Sequence, residues 1–166
     1  MNDQPLPPIS PEQPEHAASV DALIDAAFGP GRYTKAAERL REGNQPAPGL
    51  SMVALDDEGR VRGCSRMWPI HIGGAPALLL GPFAVTQEWR SRGLGSALIQ
   101  RCCEAAEAAG HGLVLLVGDA AYFAKLGFAP VPREVTMPGP ADPRRVLVRA
   151  LKPGAADGLK GPVTVG

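Results

Sequence analysis

Two arginines, two glycines and two serines crowd the segment Val85-Thr86-Gln87-Glu88-Trp89-Arg90-Ser91-Arg92-Gly93-Leu94-Gly95-Ser96-Ala97-Leu98, and residue types in that order describe an anion site. The first amide N–H groups of a helix lack intrahelical partners and point toward anything that approaches the helix entrance. The aligned peptide dipoles add about half a positive charge there. Gly93 and Gly95 have no Cβ, so a phosphate can come close to the backbone. Arg90 and Arg92 bring formal charge to the mouth. A helix opening near Gly93 therefore makes Arg90, Ser91, Arg92, Gly93, Leu94, Gly95 and Ser96 a cradle suited to a pyrophosphate. Two glycines could merely ease a turn. The strand before them, the arginines beside them and the helical stripe after them favour the anion.

The same glycines imitate a dinucleotide fingerprint, in which an acidic residue about 20 positions on holds a ribose. Asp119 lies 24 residues past Gly95. Two details oppose that reading. Seven residues separate Val85 from Gly93, where the fingerprint has almost none, and Leu98 stands where it needs Gly or Ala. Other chemistry is thinner. Cys64, Cys102 and Cys103 are odd in number, which argues against a disulfide framework, and no spacing among them resembles a metal site. His16, His71 and His111 are scattered. No metal is expected, and the cysteines read as small buried apolar residues.

The elements that must hold this loop follow from apolar spacing. Val20, Leu23, Ile24 and Ala27 predict a helix over 17–28. Tyr33, Ala36, Ala37 and Leu40 predict a second, ending near Gly43. The period then changes. Strands are expected over 50–55, 61–72 and 77–85, with Gly73-Gly74 turning the hairpin between the last two. A long helix is expected over 93–109, with Leu94, Ala97, Leu98, Cys102, Ala105 and Ala109 as its apolar stripe. Leu113 to Val117 follows as a continuous apolar strand, parallel to the 77–85 strand because a helical crossover joins them. A short helix over 120–126 and strands over 128–137 and 146–151 complete the pattern, with a first strand somewhere in 6–10.

With 166 residues, 45% of them hydrophobic and 20% charged, the chain has the make-up of one globular domain. The expected partition is a largely mobile segment over 1–15, a single domain over 16–152 and a tail over 153–166 that could add a packing strand. Seventeen basic residues balance seventeen acidic ones, so a broad grip on nucleic acid is not expected. The N-terminus has neither a basic start nor an apolar core segment, and the longest apolar run is far short of the roughly 20 residues of a membrane span. A cytoplasmic protein that does not engage membranes is expected, with its oligomeric state unfixed and a homodimer left open.

On these motifs the sequence resembles the GNAT superfamily of N-acetyltransferases. Arg90-x-x-Gly93-x-Gly95 matches its Arg/Gln-x-x-Gly-x-Gly/Ala signature. Leu80-Gly81-Pro82-Phe83-Ala84-Val85 resembles its fourth strand, and Ala124-Lys125-Leu126-Gly127-Phe128 resembles its Gly-Phe element. The pair Gly118-Asp119 resembles a bacterial subgroup with Gly-Asp after the fifth strand. The resemblance implies an α/β (α+β mixed) fold with a central mixed, mostly antiparallel sheet of 6–7 strands flanked by about four helices. Its fourth and fifth strands should splay apart around acetyl-CoA. The pantetheine arm would pair with the backbone of Phe83, Ala84 and Val85, and the pyrophosphate would lie on Arg90 to Ser96.

The implied reaction is direct transfer of acetyl from acetyl-CoA to an amine of a small molecule or of a protein, with no covalent enzyme intermediate. The family often places an acidic tyrosine four residues before the Gly of Gly-Phe. Phe123 stands there and Tyr122 one place earlier, about 100° around a helix, so Tyr122 reads either as the acid or as packing. Asp119 reads either as a proton relay or amine-binding group, or as the N-cap of the helix at Ala120. The strand over 78–85 carries no ionisable side chain to act as base. The alternative is an inactive CoA-binding sensor or interaction module.

Overall fold

The computed structural model describes residues 4–166; residues 1–3 of the expected N-terminal segment lie outside the described residues. Strand β1 is Ile9–Pro11, and helix α1 is Ala17–Phe28. A meander follows: β2 Met52–Leu55, β3 Val61–Ile72 and β4 Ala75–Val85. Helix α2, Leu94–Ala108, crosses over to β5, Leu113–Val117. Helix α3 is Ala120–Ala124, and β6 Ala129–Pro130, β7 Val135–Thr136, β8 Val146–Ala150 and β9 Gly161–Val165 close the chain. The strand order is β1-β2-β3-β4-β5-β8-β6, with β9 pairing β3 and β7 beside that path. Pairing is antiparallel except for β4 with β5 and β7 with β9. The α/β class, the mostly antiparallel sheet and the parallel crossover strand all match expectation.

Three expectations fail, each for a physical reason. The second helix expected to Gly43 is instead two short 3-10 stretches, Pro30–Thr34 and Ala36–Leu40. Lys35 between them is extended at φ −77°, ψ 146°, which interrupts any helical ladder, while Ala36, Ala37 and Leu40 still bury. That leaves three α-helices among the described residues rather than about four. The strand expected over 128–137 shrinks to the two pieces β6 and β7, because Pro130 and Pro132 have no amide to give a ladder. These fragments, with β1 and β9, bring the strands among the described residues to nine rather than 6–7. The stripe on α2 is also rotated. Leu94, Leu98, Ile99, Cys102, Cys103 and Ala106 are buried, whereas Ala109 is exposed.

The sheet is covered on both faces at its centre, so β4 carries a continuous apolar run. Leu78 and Leu80 pack with Leu94, Leu98, Val114 and Leu116 on the α2 face. Leu79 packs with Ile70, Leu113, Leu115, Val146 and Leu40 on the other. Removing each such leucine from water is worth about 2 kcal/mol. Close packing of α2 explains Gly63. A Cβ there would lie 2.7 Å from Leu98 Cδ1, so this strand position must stay bare for the helix to dock. A smaller cluster of Val20, Ile24, Val53, Cys64 and Ala84 seats α1 beside it.

Candidate functional site

The site begins where two strands part. Strands β4 and β5 pair only at Leu78 with Val114 and Leu79 with Leu115. Beyond that point β5 continues beside β8 to Val117, while β4 runs on to Val85 with β3 alone. The departure coincides with a bulge. Ser65 faces Phe83 and Met67 faces Leu80, so Gly81 and Pro82 oppose the single residue Arg66. Gly81 sits at φ +129°, a region that side chains with a Cβ avoid, and its carbonyl accepts the Trp68 indole N–H at 2.6 Å. Past the bulge, Thr86 N–H donates to the Arg62 carbonyl of β3 at 2.9 Å. Strand alternation then turns the polar backbone of Ala84 toward β3 and that of Phe83 and Val85 outward. The Val85 carbonyl accordingly accepts Arg90 Nε from the open side at 3.3 Å.

The expected anion loop lies directly after this free edge. The first bond of α2 runs from Ala97 N–H to the Gly93 carbonyl. The amides of Leu94, Gly95 and Ser96 precede it, and no side chain caps them. Gly93 is left-handed at φ +88°, and no atom lies within 4 Å of where its Cβ would stand, so the space before the loop is open. Ser91 also has a positive φ, +62°, which is costly for a residue with a Cβ and marks a loop whose shape is imposed. Arg90 and Arg92 are exposed, and the Arg92 guanidinium lies over the buried Trp89 ring at 5.0 Å.

Tyr122 reaches this loop, and Asp119 stands at the start of the same short helix. Tyr122 is 42% exposed, and its hydroxyl is 2.5 Å from Ser96 Oγ on the first turn of α2. Its neighbour Phe123 is the packing residue, buried edge-on against Phe83 and Phe128 with centroids 5.7 and 6.2 Å away. The rotation of one helical place thus sends the hydroxyl toward the loop and the phenyl ring inward. Gly118 makes room for that ring, since a Cβ there would sit 2.4 Å from Phe123 Cε2. Asp119 is the N-cap of α3. Its Oδ1 accepts the amides of Ala121 and Tyr122 at 2.8 and 3.2 Å.

A cavity of about 500 Å³ opens between the parted strands and the 28–41 segment. Gly81, Pro82, Phe83, Gly118, Asp119 and Tyr122 line its strand side. Arg32, Lys35, Arg41 and Arg145 line it as well. None of these four was assigned a role from the sequence. They come from positions up to 113 apart (145 − 32), on no shared helix face, so no spacing rule could have gathered them. Burial pulls the Arg41 guanidinium below its ordinary value, the Glu38 carboxylate at 2.9 Å opposes that, and the nearby Arg32 charge adds to the lowering.

The three thiols are free and buried. Desolvation pushes Cys64 and Cys102 up to about 12, so neither offers a thiolate nucleophile at ordinary pH. Among the described residues no group of three or more His, Cys, Asp or Glu could hold a metal ion, and no helix is long and apolar enough to cross a membrane.

Known proteins share this fold. A family model described as an acetyltransferase (GNAT) domain matches residues 48–130. YhbS of Escherichia coli strain K12, an uncharacterised N-acetyltransferase, is 32% identical over 122 residues, which is 72% of this chain and 72% of the relative. The crystal structure of Escherichia coli YhbS in complex with CoA superposes with a TM-score of 0.79 at 26% identity, covering 100% of this chain and 93% of the other. A GNAT family acetyltransferase from Brucella melitensis in complex with acetyl-CoA gives 0.70 at 28% identity, over 96% and 95%.

Proposed function

The chain belongs to the GNAT acetyltransferase family and is an acetyl-CoA-dependent N-acetyltransferase, and from that premise we propose how its residues divide the work. The observation that carries the division is the parting of β4 from β5 beyond Leu79, which leaves an unpaired strand edge running into a glycine-lined helix entrance. On this reading the outward backbone of Phe83 and Val85 holds the pantetheine arm as an added strand would, with Ala84 between them committed to β3. The amides of Leu94, Gly95 and Ser96 hold the pyrophosphate, and Arg90, Ser91, Arg92 and Gly93 shape and charge the approach. The empty volume before Gly93 fits that role.

Bound acetyl-CoA supplies a thioester: the amine attacks its carbonyl carbon, the C–S bond breaks, and the sulfur leaves as thiolate. Tyr122 is assigned the proton for that sulfur. Its hydroxyl stands at the head of α2, shares a proton with Ser96 Oγ, and is open to solvent for recharging. Asp119 is assigned to holding α3, and with it Tyr122, in place through its two cap bonds. Its charge also faces the cavity that receives the amine. No carboxylate lies on β4, so the ammonium gives up one proton to water before attack, and the nitrogen releases a second to water as the C–S bond breaks. Three free, buried thiols fit a reducing, cytoplasmic setting. The acceptor is an amine of a small molecule or of a protein.

Incubation with acetyl-CoA and a panel of amines, following free thiol, tests the reading alongside thermal shifts with acetyl-CoA and with NADH. Acetyl-CoA should raise the midpoint and NADH should not. Stabilisation by NADH alone would overturn it.

A further inference from the structure

The cavity is far more cationic than its expected guest requires. A free amine approaching a thioester arrives as an ammonium, and a pocket built for simple amines or polyamines would present carboxylates to it. Here Asp119 is the one carboxylate among the cavity-lining residues, and its Oδ1 is occupied by two amides. Four cations surround it: Arg32, Lys35, Arg41 and Arg145.

Two of the four are partly neutralised. Arg32 pairs with Asp25 at 3.0 Å and Arg41 with Glu38 at 2.9 Å. These pairs do not use up the guanidinium groups, each of which has five N–H donors. The Nε atoms of both Arg32 and Arg41 are buried without a partner. Arg41 Nη2 also reaches the strand bulge, 3.3 Å from where a Cβ on Gly81 would lie. The pair is close enough for Arg32 to disfavour the charge on Arg41, a repulsion that an intervening anion would reverse. Among the described residues neither Lys35 nor Arg145 makes an ion pair with a carboxylate, and both are exposed at the cavity rim. The phosphates of the cofactor do not account for these charges. None of residues 90–96 lines this cavity, and that loop brings its own Arg90 and Arg92.

We propose that the acceptor is an amine that also carries a compact anionic group, a carboxylate or a phosphate, which Arg32 and Arg41 bind and Lys35 and Arg145 steer. The proposal rests on the reading of this cavity as the acceptor site. Bidentate geometry of the two guanidinium groups suits either oxyanion. Polyamines and simple alkylamines then meet a repulsive wall, so the same residues that select one class reject the other.

Acetylation and calorimetric binding in the presence of CoA test this with glycine, β-alanine and glutamate as amino carboxylates, phosphoethanolamine as the phosphate arm, and ethanolamine and spermidine as amines without an anion. The anionic amines should exceed ethanolamine at least about tenfold in kcat/KM, and whichever arm is stronger identifies the anion. Arg145→Gln, at an exposed position, should raise KM for the anionic amines about tenfold while the KM for acetyl-CoA stays in place. Because Arg41→Gln alone strands a buried Glu38, the double variant E38Q/R41Q removes the pair together and should weaken the same amines further. Preference for ethanolamine or spermidine overturns the proposal. So does an equal rise in KM for ethanolamine in Arg145→Gln, or protein that binds acetyl-CoA yet neither binds nor acetylates any anionic amine. Protein that binds no acetyl-CoA sinks the underlying assignment and the proposal with it.

Discussion

The two ends of β4 carry similar residues and do opposite things. From Ala75 to Leu79 the strand has β3 on one side and β5 near on the other, with Leu78 and Leu79 wholly buried. From Gly81 to Val85 it has β3 alone. At the first end Leu78 and Leu79 are paired on both sides and bury their side chains in the core. At the second, a two-residue bulge at Gly81 and Pro82 turns the strand away, and alternate backbone groups face a gap. A paired strand contributes stability and can bind nothing, whereas an unpaired one is a ready template for another chain. On the proposed division of roles, one continuous element supplies both scaffold and site, provided the pairing stops at a defined residue.

The largest effect that would test this contrast belongs to the closed end. Leu79→Ala should cost about 3 kcal/mol of stability in denaturant unfolding, as expected for a leucine removed from a packed core. Affinity for acetyl-CoA in the folded fraction should hardly change, and a large loss there would erase the division between the two ends. Next comes the open end. Gly93→Glu puts a carboxylate into empty space before the loop, so the fold should survive while acetyl-CoA binding weakens at least 100-fold, about 2.7 kcal/mol. Equilibrium dialysis beside circular dichroism reads both. The smallest effect sharpens the division within the site. Tyr122→Phe keeps the ring and removes the hydroxyl that meets Ser96, and should lower kcat about tenfold to a hundredfold with KM for acetyl-CoA little changed. An unaltered kcat would leave Tyr122 as a packing residue.

Much of this arrangement was legible in the residues. The α1 range, the hairpin at Gly73-Gly74, the parallel β5 and the helix opening at Leu94 all follow from local apolar period and from glycine, because those signals depend on near neighbours in sequence. The loop 90–96 was legible for the same reason. Three things were not. The 30–43 segment has helical spacing, yet Lys35 is extended and splits it in two while Ala36, Ala37 and Leu40 bury, a tertiary outcome that propensity does not record. The stripe on α2 was misphased by its small residues: Ala109 reads as apolar but lies beyond the sheet, while Cys103 and Ala106 lie over it. The direction of Tyr122 against Phe123 was undecidable from a five-residue helix, since its phase depends on where Asp119 caps it.

The sequence by itself determined the family, the strand-to-helix loop and the cofactor chemistry, because each is written in a contiguous run of residue types whose geometry is local. Only the tertiary structure decided where β4 and β5 part, which hydroxyl meets the α2 entrance, and that Arg32, Lys35, Arg41 and Arg145 share one cavity. Those are relations between segments distant in the chain. Their distances are fixed by how the segments pack together, and no local period records them.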